Sequence, residues 1–138
     1  MPRPGRRFLI RGLIGWLPTP VLAIASGALR EIAIRPVASP WVAELIGALG
    51  LIVLIYFYLL WLLRRIGPGP GARERWLLGL AWMLLAAAFE FVFFGLVLGE
   101  PLENLIAAYD PRNGSLWSPV LVGILLGPPL IGGRLARR

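Results

Sequence analysis

Four long apolar runs alternate with short polar segments along this chain. Residues 12–29, 41–63, 76–98 and 116–131 hold few charges, and a bilayer core about 30 Å thick needs roughly 20 apolar residues per helix. The run from Trp41 to Leu63 alone would reach roughly 35 Å. Between the runs stand segments that end helices. Residues 30–40 contain Pro36 and Pro40, residues 64–75 contain Gly67-Pro68-Gly69-Pro70-Gly71, and residues 99–115 contain the turn sequence Asp110-Pro111-Arg112-Asn113-Gly114. The pattern predicts an all-α integral membrane four-helix bundle, a single transmembrane domain over residues 1–138, because only helices with internally paired backbones cross lipid in such runs.

Prolines modify the first and fourth spans. Pro18 and Pro20 interrupt the first, and Pro119, Pro128 and Pro129 fall in the short fourth, so both are expected to be kinked. Carbonyls freed in this way must find donors on neighbouring helices or in water. The N-terminal stretch also resembles a cleavable signal peptide: arginines precede a short apolar run with Ala23-Ile24-Ala25, and Arg6-Arg7-Phe8-Leu9 is similar to a twin-arginine signal. The prolines break that apolar core, however, and cleavage would leave three spans with unbalanced flanking charge. The run is therefore expected to be a span.

Charge supplies the orientation. All 14 basic residues are arginine. Eleven lie in the N-terminal tail, the 64–75 loop and the C-terminal tail, and three, Arg30, Arg35 and Arg112, lie in the other two loops. By the positive-inside rule both termini and loop 64–75 are cytoplasmic, loops 30–40 and 99–115 are outer, and the protein belongs in a bacterial inner (plasma) membrane. Trp61 and Trp76 at the inner boundary, with Trp41 and Trp117 at the outer one, fit the same placement. The net charge of +7 thus has a membrane explanation, and no nucleic-acid partner is expected. Arg64, Arg65, Arg73 and Arg75 would attract anionic lipid unspecifically, at about 1 kcal/mol each.

Composition narrows the chemistry further. The chain has no Cys and no His, which removes disulfides, thiolate nucleophiles, imidazole ligands and histidine proton relays. No phosphate-cradling glycine loop and no nucleophile elbow occurs. We expect no enzyme activity, cofactor or metal. Glu100, Glu103 and Asp110 could hold a divalent cation weakly through oxygen ligands, but charge balance against the outer arginines accounts for them.

One residue breaks the apolar pattern. Glu90 sits inside Trp76–Leu98, roughly 21 Å above the inner boundary by helical rise and so in the outer half of the bilayer. A carboxylate there costs roughly 2.5 to 3.5 kcal/mol on insertion scales and needs a partner, a proton or water. The simpler expectation is an ion pair with Arg30 or Arg35, which enter from the same side; the alternative is a proton- or cation-binding group in a transport path. Glu44, near the start of the second span, reads as a carboxylate at a helix start, favoured by the dipole and free to reach the interface. Small residues four apart, Ala23/Gly27, Ala43/Gly47, Gly95/Gly99 and Gly123/Gly127, predict close helix crossings within the chain.

The segments REIAIRP, WMLLAAAFEFVFFG and YDPRNGSLWSPVLVGILLGPP carry a resemblance to a group of small, uncharacterised four-span bacterial inner-membrane proteins. Its marks here are Arg30 and Glu31, Phe89 and Glu90, Tyr109 and Asp110, Gly114 and Trp117. The resemblance covers most of the chain and implies no known activity, but it groups Glu90 with the outer polar residues. The chain is also similar in size and architecture to the small multidrug-resistance transporters, whose functional Glu lies in the first span; here that span has none. Together these readings lead to a non-enzymatic membrane protein with an outward polar cluster of Arg30, Glu31, Arg35, Glu90, Tyr109 and Asp110, a small-molecule or partner site. Two alternatives are a dimeric proton-coupled transporter of small hydrophobic cations using Glu90, and an accessory subunit of a larger membrane complex.

Overall fold

Proline and serine set the helix starts. Ser39 caps the longest helix by accepting from the Val42 amide at 3.3 Å, and Pro40 occupies its first turn, where no amide is needed. In the computed structural model, which describes residues 3–113 and 115–137, the order is α1 Pro4–Trp16, α2 Thr19–Leu29, α3 Pro40–Ile66, α4 Ala72–Glu90, α5 Leu102–Ala107 and α6 Trp117–Ala136. π-helical turns Arg30–Ile34 and Phe91–Val97 prolong α2 and α4. No strand occurs among the described residues. Gly114, one mark of the resemblance, and Arg138 of the C-terminal tail lie outside them.

Four helical segments are long and apolar enough to cross a membrane: Pro4–Ile34, Pro40–Ile66, Ala72–Val97 and Trp117–Ala136. Their ends depart from the expected 12–29, 41–63, 76–98 and 116–131 in instructive ways. The first helix begins at Pro4 because proline is favoured in an opening turn. Residues 30–34, expected in an outer loop, stay helical because nothing disfavours helix before Pro36. The fourth helix runs past Pro128 and Pro129 to Ala136, and Pro119 sits in its first turn, where its missing amide costs nothing. Gly67, at φ 95°, ends α3 as only glycine readily can.

The proline interruption of the first span shows how freed carbonyls are satisfied. Pro18 and Pro20 offer no amides to Ile14 and Trp16. Instead the Leu17 amide donates to Ile14 O at 3.1 Å, and the Thr19 hydroxyl donates to Trp16 O at 2.7 Å. The Tyr58 hydroxyl of α3 donates to Gly15 O at 2.5 Å, and the Trp82 indole of α4 donates to Gly12 O at 2.9 Å. The interruption and the turn of α1 before it are thus tied to two neighbouring helices.

The packing forms a ring. α1 and α2 lie against α3, α1 also against α4, and both α3 and α4 against α6. The best-buried residues, among them Leu59, Leu63, Leu78, Trp82 and Ile124, gather toward the end that holds the termini. At that end Phe8 lies beside Gly69, and Gly132 beside Arg75 and Pro68. At the opposite end α2 gives way to Arg30 and α4 to Phe91. The outward surface is apolar, with Val21, Phe57, Leu96 and Leu102 among its exposed residues.

Candidate functional site

At this distal end the two π-helical turns flank the chain's internal charges. A π-helical turn accommodates one extra residue and often marks a functional position. Here one is closed by the Arg35 amide on Arg30 O at 2.8 Å and the other by the Leu98 amide on Phe93 O at 3.0 Å. The first begins at Arg30 and the second begins just after Glu90.

Arg30 is the centre of a charge network. Its Nη1 lies 3.2 Å from Glu44 Oε2 and its Nε lies 3.6 Å from Glu31 Oε1. Glu31 Oε2 in turn meets Arg35 Nη1 at 2.7 Å. The other oxygen of Glu44 accepts from the Leu116 amide at 3.1 Å, just ahead of α6. One carboxylate thereby ties the starts of α3 and α6 to the end of the first span. The small residue Gly47 makes this possible: a Cβ there would stand 2.8 Å from Arg30 Cδ, so the arginine stem lies across bare backbone.

Glu90 has a different partner from the one expected. Its Oε2 accepts from the Tyr109 hydroxyl at 3.1 Å, and among the described residues no ion pair includes it. The predicted pairing of Glu90 with Arg30 or Arg35 is therefore corrected to Glu44–Arg30 and Glu31–Arg35. The reason is adjacency: α2 packs on α3, which carries Glu44 beside the arginine, while Arg35 is one helical turn from Glu31. Tyr109 is held by stacking on Phe91, with centroids 5.7 Å apart, and by the Ser118 hydroxyl, which donates to its carbonyl. Burial pushes its phenol above the ordinary range, which keeps the hydroxyl protonated as a donor. Asp110 does not join Glu90. Arg112 grips it through Nε and Nη2, at 3.1 and 2.8 Å, and holds its carboxyl below the usual range.

A cavity of about 290 Å³ lies between these groups. Glu90, Arg30, Glu44 and Ser26 supply polar walls; Phe89, Leu51, Val120 and Trp117 supply apolar ones. The Trp117 indole Nε1 is buried beside the Tyr109 side chain, with no hydrogen bond of ordinary length among the described residues. Arg30 and Glu44 also line a second, outer cavity of about 460 Å³ together with Glu31 and Arg35. The Arg30–Glu44 pair stands between the two. Of the six residues expected in the cluster, Arg30 and Glu90 line the inner cavity, Tyr109 supports Glu90, Glu31 and Arg35 form the outer wall, and Asp110 stands apart. Glu44 and Trp117 are the site residues that sequence reasoning did not place there. A signal for Glu44 existed in its position between Ala43 and Gly47, the small residues that admit a neighbour.

No group of three or more acidic side chains among the described residues could hold a metal ion. The arrangement offers one Glu90 oxygen that has no partner among the described residues and a charged pair, set in apolar walls. That is recognition chemistry for a small amphipathic molecule.

The pairing yields a test. Arg30 and Glu44 are about one-third and one-quarter exposed, so their coupling in a double-mutant cycle with glutamine should be about 1 kcal/mol. The Arg30/Glu90 cycle should be additive to within about 0.5 kcal/mol. Denaturant titration in detergent measures both, and a larger coupling for Arg30/Glu90 would reverse the assignment. Comparison with protein-family models, curated proteins and solved structures finds no match to this chain.

Proposed function

We propose that this chain is a non-enzymatic multi-pass protein of a bacterial inner membrane, with both termini cytoplasmic and the first and fourth spans bent at their prolines. Its outward-facing cavity beside Glu90 binds a small molecule with an apolar body and a polar or cationic end. Orientation rests on the arginine distribution, eleven toward the terminal end and three toward the other. The kinship with small four-span inner-membrane proteins is part of the same proposal and rests on Arg30-Glu31, Phe89-Glu90 and Tyr109-Asp110.

The observation that carries the binding reading is the 290 Å³ cavity itself, in which the Glu90 carboxylate and the Arg30–Glu44 pair stand among the apolar walls of Phe89, Leu51, Val120 and Trp117. A cavity of mixed lining gives a ligand's apolar body and its polar end separate surfaces to meet. Gly27 offers a way to close the cavity, because a side chain there would meet nothing within 4 Å. A panel of small amphipathic amines and amides should raise the melting temperature of the wild-type protein in detergent, and Gly27→Trp should abolish the rise while circular dichroism stays unchanged. Glu90→Gln should weaken the amines about tenfold or more, as expected for removal of one charge-assisted contact worth about 1.5 kcal/mol. Undiminished shifts in Gly27→Trp would remove the cavity from consideration.

The position of the Arg30–Glu44 pair between two cavities favours a second reading, a dimeric proton-coupled transporter that uses Glu90. That reading requires amine-driven proton movement in proteoliposomes that is lost in Glu90→Gln.

A further inference from the structure

A further concave surface lies on the outside of the bundle, at the end opposite the Glu90 cavity. α3 and α6 leave a groove of about 410 Å³ between them, walled by Phe57, Leu60, Ile131 and Leu135 and closed at one end by Arg64 and Arg134. We propose that this groove is a site for one anionic phospholipid, its phosphodiester on the two arginines and an acyl chain along the apolar walls. The inference needs the chain to lie in a bilayer but makes no use of the distal cavity.

Dimensions come first. From Ile52, at the deep end, to Arg64 is twelve residues of α3, or about 18 Å of helix. The hydrocarbon of one leaflet is about 15 Å, half the bilayer core. The groove is thus about as long as one acyl layer, with its charges at the headgroup level.

Charge comes second. The four ion pairs among the described residues all lie at the distal end of the bundle and include neither Arg64 nor Arg134. Neighbouring Arg65 behaves differently, lying over the Trp61 ring at 5.5 Å. Both groove arginines are exposed and occupy the last turns of α3 and α6, where a helix favours cations. Two guanidinium forks at the mouth of an apolar channel match a phosphodiester on an acyl chain. Basic pockets between helices on the cytoplasmic side are a known way to recognise anionic headgroups.

The groove walls between the arginines and Ile52 are apolar or aromatic. Tyr56 lines it, but its hydroxyl is spent on Gly123 O at 2.6 Å, so it presents a ring rather than an unsatisfied donor. A second copy of the chain fits worse than a lipid. A symmetric pairing across this face would bring four arginines together with no counter-anion.

The test uses the purified protein in detergent, with phosphatidylglycerol and phosphatidylcholine of identical chains added in equal amounts and bound lipid counted by native mass spectrometry. One phosphatidylglycerol per chain should be retained with a preference of about thirtyfold, the fold-change expected for two arginines at about 1 kcal/mol each. Arg64→Gln with Arg134→Gln should reduce that preference to about threefold or less. Arg6→Gln with Arg73→Gln removes the same charge from the same end and should leave it unchanged. Equal losses in the two double variants would assign the preference to diffuse charge and overturn the site. Equal retention of the two lipids by the wild-type protein, or a dimer that excludes lipid, would overturn it even if a variant fails to fold.

Discussion

Replacing Gly79 by alanine is expected to destabilise the bundle by about 3 kcal/mol, although alanine is the better helix former by about 1 kcal/mol. The sign follows from one contact. A Cβ at Gly79 would collide with the carbonyl oxygen of Leu125, a backbone atom of α6 that cannot rotate aside. Leu125 O is also exceptional in its own helix, because the residue four positions on is Pro129, which has no amide to give it. The hydrogen that glycine carries in the Cβ direction points at this oxygen, a weak Cα–H···O contact of the kind that recurs between closely packed helices. Alanine would both push α4 from α6 and leave the carbonyl facing a methyl group. Because α4 and α6 form the most extensive helix pair in the fold, the effect should propagate to the whole bundle. Unfolding of detergent-solubilised protein by graded denaturant measures it. A neutral or stabilising Gly79→Ala would mean that the two helices do not approach this closely. As an internal control, Gly50→Ala, in α3 with open space around its Cβ direction, should be neutral or slightly stabilising.

The contrast between these glycines shows where sequence reasoning stops. Apolar run length and proline position were enough to anticipate four long helices, and Gly67-Pro68-Gly69-Pro70-Gly71 was enough to place a break between the second and third. That Glu90 needs a partner was equally plain, because an acid in a long apolar run has few ways to persist. Which partner it has was not legible. Arg30 is drawn to Glu44 and Glu90 to Tyr109 by the order in which the helices pack, and nothing local in the segment around Glu90 specifies that order. The π-helical turns are likewise invisible in composition: REIAI and FVFFGLV contain no residue that demands an extra amide per turn. Freed carbonyls in the first span could be predicted as a class, but the hydroxyls of Thr19 and Tyr58 as donors at the break required the fold. The small-residue spacings mark possible crossings, yet Gly79, the tightest, belongs to none of the four pairs.

Trp82→Ala is expected to cost about 4 kcal/mol, the range for truncating a fully buried tryptophan. The residue is 1% exposed and joins three helices: it sits on α4, stacks on Tyr58 of α3 with centroids 6.3 Å apart, and donates its indole N–H to Gly12 O of α1. Lipid outside the bundle is as apolar as the indole ring, so the loss arises from packing and from the hydrogen bond rather than from exposure to water. Trp82→Phe separates packing from hydrogen bonding. It keeps a six-membered ring in the same slot and deletes the donor together with part of the indole, so it should cost about 2 kcal/mol, half the loss of the full truncation. Equal losses for the two variants would mean that the hydrogen bond supplies most of the stabilisation and that the junction re-packs around an alanine. The residue also bears on the distal cavity. Trp82 lines a small apolar void of about 30 Å³ whose other walls include Ala23, Leu51, Phe89 and Trp117, residues that line the Glu90 cavity as well. Truncation to alanine should therefore deepen that cavity toward the packed half, and ligands larger than those accepted by the wild type should produce a thermal shift in Trp82→Ala. If only the stability falls and the size range of ligands does not change, the indole is a core strut and not the floor of the site.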